Sequence, residues 1–89
     1  LDLRAFLFVR CESGQVDRRD VAELLVTLPL CIRVSIITGD WDLLVVVVAS
    51  SLDTLGDAIL DQVSKVAGVS GTQTMISFYE FEGVASSFR

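Results

Sequence analysis

Two short polar segments of the chain combine residue types that could bind a small charged molecule. The first, Thr38-Gly39-Asp40-Trp41-Asp42, brings a glycine, two carboxylates and the chain's single tryptophan to the start of its most apolar run. The second, Thr72-Gln73-Thr74, spaces two hydroxyls two residues apart, so both lie on one side of a strand. Amides and hydroxyls can bind a carboxylate and an aspartate can bind an ammonium group, which predicts a small zwitterion as the ligand. The candidate site residues are Gly39, Asp40, Trp41, Asp42, Thr72 and Thr74.

Both segments also have a purely structural interpretation, as a hairpin turn and as ordinary strand threonines. The residue types alone leave the two interpretations open. Asp40 and Asp42 could in addition form a carboxylate pair for acid–base chemistry or cation binding. Two acids without further oxygen donors at loop spacing are, however, a weak metal signal.

Residues that commonly perform catalysis are scarce in this sequence. Histidine, the commonest general base and metal ligand, is absent. Lys65 is the only lysine, Cys11 has no recognisable activating neighbour, and neither of the glycine-rich phosphate-binding patterns occurs. We therefore expect a protein that is not an enzyme and that uses neither a metal nor a cofactor.

Composition restricts the class of protein further. The 89 residues suit one domain, and seven basic against twelve acidic residues give a net charge of −5, which disfavours phosphate binding by this chain alone. The apolar run Leu43 to Ala49 is far shorter than the ~20 residues that span a bilayer.

Cys11 and Cys31 lack a CxxC spacing, so free thiols are expected, with a disulfide or metal site as the alternatives. Because the first residue is Leu1 rather than Met, we expect a piece of a longer protein.

Local patterns predict the element order β-α-β-β-α-β. The predicted strands are residues 3–10, 32–37, 43–49 and 69–81. Asp17 is expected to cap the first helix, which Pro29 terminates, and Ser51 the second, which Gly68 terminates. The apolar face predicted for the first helix consists of Val21, Leu24, Leu25 and Leu28. The buried stripe predicted for the second helix consists of Leu52, Leu55, Ile59, Val63 and Val66.

This order predicts an α+β fold, the ferredoxin-like sandwich, in which a four-stranded antiparallel sheet carries both helices on one face. The first and third strands would be central. Both are apolar on both sides: Leu7 alternates with Phe6 and Phe8, and the third strand is apolar throughout. Since no third helix is available to cover the second face, we expect a dimer that packs sheet against sheet.

The span from Val21 to Phe78 resembles the effector-binding domain of the Lrp/AsnC family of prokaryotic feast/famine transcription regulators, also called the RAM domain. That family reads as a short helix ending in proline, a strand into T-G-x-x-D-L-L, an apolar strand, a helix, and P-G-V-x-x-T-x-T. The matching segments here are Leu28-Pro29, Thr38-Gly39-Asp40-Trp41-Asp42-Leu43-Leu44, Gly68-Val69 and Thr72-Gln73-Thr74. Two departures are Trp41, where the family more often has tyrosine or another aromatic, and Ala67 in place of the proline.

The resemblance implies a cytoplasmic domain that dimerises through its sheets, with dimers that often assemble into rings of four dimers, an octamer. Small effectors, commonly amino acids, would be held at contacts between dimers. The matching positions place Gly39, Asp40, Trp41 and Asp42 at that site, with Thr72 and Thr74 added by the second motif. Asp42 would either order the turn or bind the ammonium group. DNA would be bound only through a helix-turn-helix domain that these 89 residues do not contain.

Four alternatives remain beside the excised effector domain of a longer regulator. The first is a stand-alone RAM domain that modulates such regulators. An ACT domain shares the element order, but its ligand site usually lies near the first strand–helix turn, here residues 12–17. A dimeric α+β barrel monooxygenase often relies on histidine, which this chain lacks. The last is an oligomerisation module without a ligand.

Overall fold

The computed structural model describes residues 2–14 and 16–87 and confirms the predicted element order. The strands are β1 (Leu3–Cys11), β2 (Cys31–Ile36), β3 (Leu43–Ala49) and β4 (Val69–Ser77), and the helices are α1 (Arg18–Leu25) and α2 (Leu52–Asp57). A π-helical turn (Ala58–Gln62) and two 3-10 turns (Val63–Lys65 and Val84–Ser87) complete the described elements. None of the helices in the described ranges is long and apolar enough to cross a membrane.

The four strands form one antiparallel sheet in the order β2-β3-β1-β4. As predicted, β1 and β3 are central, and Leu7 of β1 lies opposite Val45 of β3 and Thr74 of β4. Two β-α-β crossovers place both helices against one face of the sheet, because residues of α1 and α2 share a core with that face only. The fold is therefore the ferredoxin-like α+β sandwich that the sequence predicts.

The core lies between the sheet and the helices. Ala5, Leu7 and Val9 of β1 are fully buried on this side of the sheet, which we call the covered face. Val21 and Leu25 of α1 pack against them in the same cluster. The remaining members of the buried cluster are Cys11, Leu43, Val45, Val47, Ala49, Leu55 and Val63.

The opposite side of the sheet, the uncovered face, is also largely apolar. Phe6 lies opposite Val46 and Met75, and Phe8 lies opposite Leu44, so these side chains share one face. Val46 is 8% exposed, whereas Phe6, Phe8 and Leu44 are half-buried. No described helix packs on this side, which leaves the second apolar face that the sequence predicts.

Both predicted helix caps are confirmed, but the helices are shorter than expected. Asp17 accepts a hydrogen bond from the Arg19 amide at 2.8 Å, and Ser51 accepts one from the Thr54 amide at 3.1 Å. Regular α-helix then ends at Asp57, and the chain continues through the π-helical and 3-10 turns. In this stretch the Ser64 hydroxyl donates to the Ile59 carbonyl at 2.8 Å, a side-chain bond that competes with helical pairing.

Four further expectations need correction. Leu24 and Leu52, predicted on the buried faces of the two helices, are 48% and 62% exposed, and neither belongs to the core cluster. In β2 a bulge at Ile32 interrupts the predicted alternation and leaves that side chain 45% exposed. β4 ends at Ser77 rather than Phe81, because Ser77 already pairs with Arg4 near the start of its partner strand.

Candidate functional site

The turn between β2 and β3, residues 37–42, is held at both ends by backbone hydrogen bonds. The Ile37 amide donates to the Asp42 carbonyl and the Asp42 amide donates to the Val9 carbonyl, each at 3.0 Å. Gly39 has a φ of +110°, a conformation that residues with a Cβ rarely adopt. A Cβ built at this glycine would meet no atom within 4 Å, so the backbone conformation, rather than crowding, requires glycine here.

The Asp42 carboxylate ties this turn to the end of β1. Its Oδ2 accepts a hydrogen bond from the Cys11 amide at 2.8 Å, beside the irregularity in β1–β4 pairing between Arg10 and Cys11. Its Oδ1 lies 4.0 Å from an Arg18 guanidinium nitrogen, beyond hydrogen-bond distance. The carboxylate therefore connects three elements: the turn, the end of β1 and the first turn of α1.

The Cys11 thiol lies next to this carboxylate and is protonated near neutral pH. Burial, reinforced by the negative charge of Asp42, raises the pKa of Cys11, while the positive charge of Arg18 opposes the shift. Burial also raises the pKa of Cys31, the second free thiol. A thiol with a raised pKa is a poor nucleophile and a poor metal ligand, which favours a packing role for Cys11.

Trp41 lies at the edge of the uncovered face. Its ring lies 6.1 Å from the ring of Phe8, at an interplanar angle of 39°. The Arg10 guanidinium lies over the indole at 4.6 Å and donates to the Asp40 carbonyl at 3.0 Å. Arg10 therefore fixes both the ring and the backbone of the turn, through a cation–π contact and a charge-assisted hydrogen bond.

A cleft of about 350 Å³ opens between this turn, the end of β1 and the start of α1. Residues of both charges line it. The positively charged ones are Arg10 and Arg18, and the negatively charged ones are Glu12, Asp40 and Asp42. Cys11, Ser13 and Val16 complete the lining. Its size is near the lower end of the roughly 300–1,000 Å³ that small-molecule sites occupy, and its mixed charge suits a small zwitterion.

The two threonines lie apart from the turn. Thr72 and Thr74 are opposite Val9 and Leu7, whose side chains belong to the covered face, so both threonines are on the helix side of the sheet. Thr72 lines a separate pocket of about 200 Å³ with Ser64 and Ser70. Trp41, by contrast, packs with residues of the uncovered face, so one protomer brings Gly39, Asp40, Trp41 and Asp42 together but not the two threonines.

Arg10 and Arg18 were not predicted from the sequence as site residues. For Arg10 a signal was present, because Phe8 and Arg10 lie two residues apart and therefore on one side of β1. For Arg18 no local signal exists. Its proximity to Asp42 depends on how α1 packs beside the end of β1, which spacing along the chain does not encode.

Comparison with known proteins agrees with this architecture. The family described as the Lrp/AsnC ligand binding domain matches residues 4–82. Two HTH-type transcriptional regulators called uncharacterized, PYRAB16920 of Pyrococcus abyssi and PH1916 of Pyrococcus horikoshii, are 37% and 34% identical over 79 residues. Each alignment covers 88% of this chain and 53% of the relative, so the chain spans about half the length of these curated relatives.

Solved structures share the fold. The hypothetical protein PHS023 of Pyrococcus horikoshii is 28% identical with a TM-score of 0.76, over 88% of this chain and 92% of its own. The transcriptional regulator NMB0573 of Neisseria meningitidis, crystallised as a complex with L-Met, has a TM-score of 0.82 at 22% identity, over 91% of this chain and 53% of its own. With residues 4–82 matched, the chain belongs to the Lrp/AsnC ligand-binding domain family.

Proposed function

We propose that this chain is the effector-sensing and oligomerisation domain of an Lrp/AsnC-type transcription regulator, with an amino acid as the effector. The observation that carries the proposal is the turn at residues 37–42, held by Asp42 and Arg10 beside a cleft of mixed charge. Family membership and the L-Met complex of the Neisseria relative support an amino acid over other zwitterions. The domain acts by binding, not by catalysis.

In this proposal Asp42 orders the turn rather than binding the ammonium group. One of its oxygens is occupied by the Cys11 amide, and the other faces Arg18. The positive φ of Gly39 gives the turn the path that brings Asp40 to the cleft. Trp41 is held by Arg10 and packs against Phe8 at the edge of the uncovered face.

The proposed assembly is a homodimer formed through the uncovered faces, with four such dimers closing into a ring. The apolar side chains of Phe6, Phe8 and Leu44 would be removed from water by a second copy. Thr72 and Thr74 would contribute to effector binding only across a contact between copies, because within one protomer they lie on the other face from Trp41.

In the whole protein we propose that a helix-turn-helix domain binds DNA in the cytoplasm and that this chain regulates it. The relatives named as HTH-type regulators, about twice as long as the matched segment, support this arrangement. The alternative is a stand-alone domain that modulates such regulators. It is favoured by PHS023, a solved chain of which 92% is covered by the match.

Sedimentation velocity with and without each standard amino acid tests this proposal, together with calorimetric titration of the same ligands. We expect a dimer or larger ring and at least one amino acid that binds and shifts the assembly. The variant Asp42→Ala should weaken both effects, while Asp61→Ala, which removes an exposed carboxylate away from the turn, should leave both unchanged. A ligand-insensitive oligomer would support the oligomerisation module instead, and a stable monomer would contradict the sheet-to-sheet dimer.

A further inference from the structure

Arg18 of α1 lies at the cleft beside the β2–β3 turn, and most of its N–H donors make no hydrogen bond with the described residues. We propose that Arg18 binds the carboxylate group of the effector, in the cleft that Asp40 also lines. This inference rests on the proposed function and adds a residue, outside both sequence motifs, that selects α-amino acids by their carboxylate group.

Arg18 lies close to the Asp42 carboxylate but is not hydrogen-bonded to it. Its guanidinium nitrogen lies 4.0 Å from Asp42 Oδ1, too far for a hydrogen bond, and the side chain is 51% exposed. The other Asp42 oxygen already accepts from the Cys11 amide, so the two-pronged pairing that arginine and carboxylate usually form is not made. Asp42 therefore holds Arg18 at the cleft by charge attraction and leaves its fork of N–H donors available.

The second guanidinium of the cleft, that of Arg10, already makes two other contacts. Arg10 lies over the Trp41 ring at 4.6 Å and donates to the Asp40 carbonyl at 3.0 Å. Those two contacts fix the turn, which makes Arg10 a positioning residue. Of the two cations, Arg18 is consequently the one that can receive an incoming carboxylate.

Asp40 is the complementary group on the turn side of the cleft. Arg10 uses only its backbone carbonyl, and Asp40 is an exposed residue that lines the cleft. A cleft of about 350 Å³ lined by both an aspartate and an available guanidinium fits a small molecule with an ammonium and a carboxylate group on neighbouring carbons. The same cleft offers less to a simple amine or a simple acid, because each would leave either Arg18 or Asp40 without a partner.

Arg19 provides a matched control for Arg18. The two arginines are adjacent on α1 and both exposed, so replacing either one changes the net charge and the helix composition equally. Arg19 does not line the cleft. The variants Arg18→Gln and Arg19→Gln therefore differ in position relative to the cleft and in the charge contact of Arg18 with Asp42.

The test is calorimetric titration of the dimeric or larger wild-type domain and both variants with L-methionine and then each other standard amino acid. For every amino acid that binds the wild type, Arg18→Gln should weaken affinity about 10-fold to 100-fold, the loss expected for a charge-assisted hydrogen bond. Arg19→Gln should stay within about twofold, and Arg18→Lys should recover part of the loss because it keeps the charge but not the fork.

Compounds that lack the carboxylate separate recognition from misfolding. For a methionine-binding domain, 3-methylthiopropylamine should bind the wild type and Arg18→Gln equally, since it has no group for Arg18 to bind. Equal amino-acid affinity in wild type and Arg18→Gln, or an equal loss in Arg19→Gln, overturns the role of Arg18 and leaves the proposed function standing. Failure of every amino acid to bind the wild type overturns the proposed function and this inference together.

Discussion

The two faces of the sheet are built from similar residues and reach opposite outcomes. On the covered face Ala5, Leu7 and Val9 are fully buried under the helices. On the uncovered face their neighbours Phe6 and Phe8 are equally apolar but only half-buried. The faces differ in what packs on them, because the helices cover only one. Residue type therefore indicates that a surface must be covered but not what covers it.

Charge distinguishes the two faces more clearly than hydropathy does. The described residues include no buried charged or polar residue, and the only polar strand residues that the register places on the covered side near its centre are the uncharged Thr72 and Thr74. The uncovered face carries Arg4, Arg10 and Arg33 around its aromatic centre, by their register with residues of that face. An apolar centre within a charged rim is the usual anatomy of a protein–protein interface, and it supports the proposed dimer.

Leu7→Ala gives the largest expected effect on the covered face. This side chain is fully buried at the centre of the core, so we expect a loss of about 2–5 kcal/mol in the free energy of unfolding. Urea unfolding at fixed protein concentration measures it. Leu24→Ala, at a leucine that is 48% exposed on α1, should cost less than about 1 kcal/mol. Equal losses in the two variants would contradict the assignment of the core to the covered face.

Gly68→Ala tests how tightly α1 packs on the covered side. Gly68 has a φ of +92°, and a Cβ there would lie 2.8 Å from Val21 Cγ2 and 3.0 Å from Val16 Cγ1. Backbone strain and overpacking together should cost roughly 2–4 kcal/mol. Gly39→Ala is the control with strain alone, because its Cβ would meet open space, and it should cost about 1–2 kcal/mol. Thermal unfolding of both variants should rank them in this order, and the reverse order would show that no close contact exists at Gly68.

The element order, both helix caps and the two-sided apolar sheet could be predicted from the sequence because each depends on local pattern. Asp17 and Ser51 cap through neighbours two or three residues away, which spacing encodes directly. The early end of α2 at Asp57 and the bulge at Ile32 were not predicted by these patterns. A local pattern predicts the elements but not their irregularities.

The candidate site divides in the same way. The turn residues Gly39 to Asp42 could be proposed as candidates from composition and family resemblance because they are contiguous. That Thr72 and Thr74 lie on the other face from Trp41 follows from the register of β4 on β1, which the sequence does not specify. Arg18 reaches the cleft through packing alone, and only the structure could identify it.

Phe6→Asp is the corresponding test on the uncovered face. A carboxylate between Val46 and Met75 would be buried without a partner in a sheet-to-sheet dimer, so the dissociation constant should rise tenfold or more, about 1.4 kcal/mol. Sedimentation velocity over a range of concentrations measures the shift. Leu52→Asp, at an apolar residue that is 62% exposed in the helix layer, should leave the assembly unchanged. If Phe6→Asp sediments like the wild type, the uncovered face is not the interface.

The smallest expected effect lies where the covered face ends and the cleft begins, at Cys11. Burial and then the charge of Asp42 raise its folded-state pKa above the unfolded value of about 8.5. As pH rises through that unfolded value, the unfolded chain releases the thiol proton first, so the free energy of unfolding falls until the folded pKa is also passed. Below that window the thiol is protonated in both states and contributes no pH dependence.

Urea unfolding of the wild type should therefore show a decline in the free energy of unfolding at alkaline pH. Cys11→Ala should lessen this decline, apart from a packing loss that is constant with pH. Cys31→Ala is the parallel control: the pKa of Cys31 is raised mainly by burial, without the charge of Asp42. In the double variant Cys11→Ala/Asp42→Asn the decline should be no larger than in Cys11→Ala alone, because the carboxylate acts on alkaline stability through this thiol. An identical alkaline decline in the wild type and Cys11→Ala would show that Cys11 is not desolvated at the boundary between the core and the cleft.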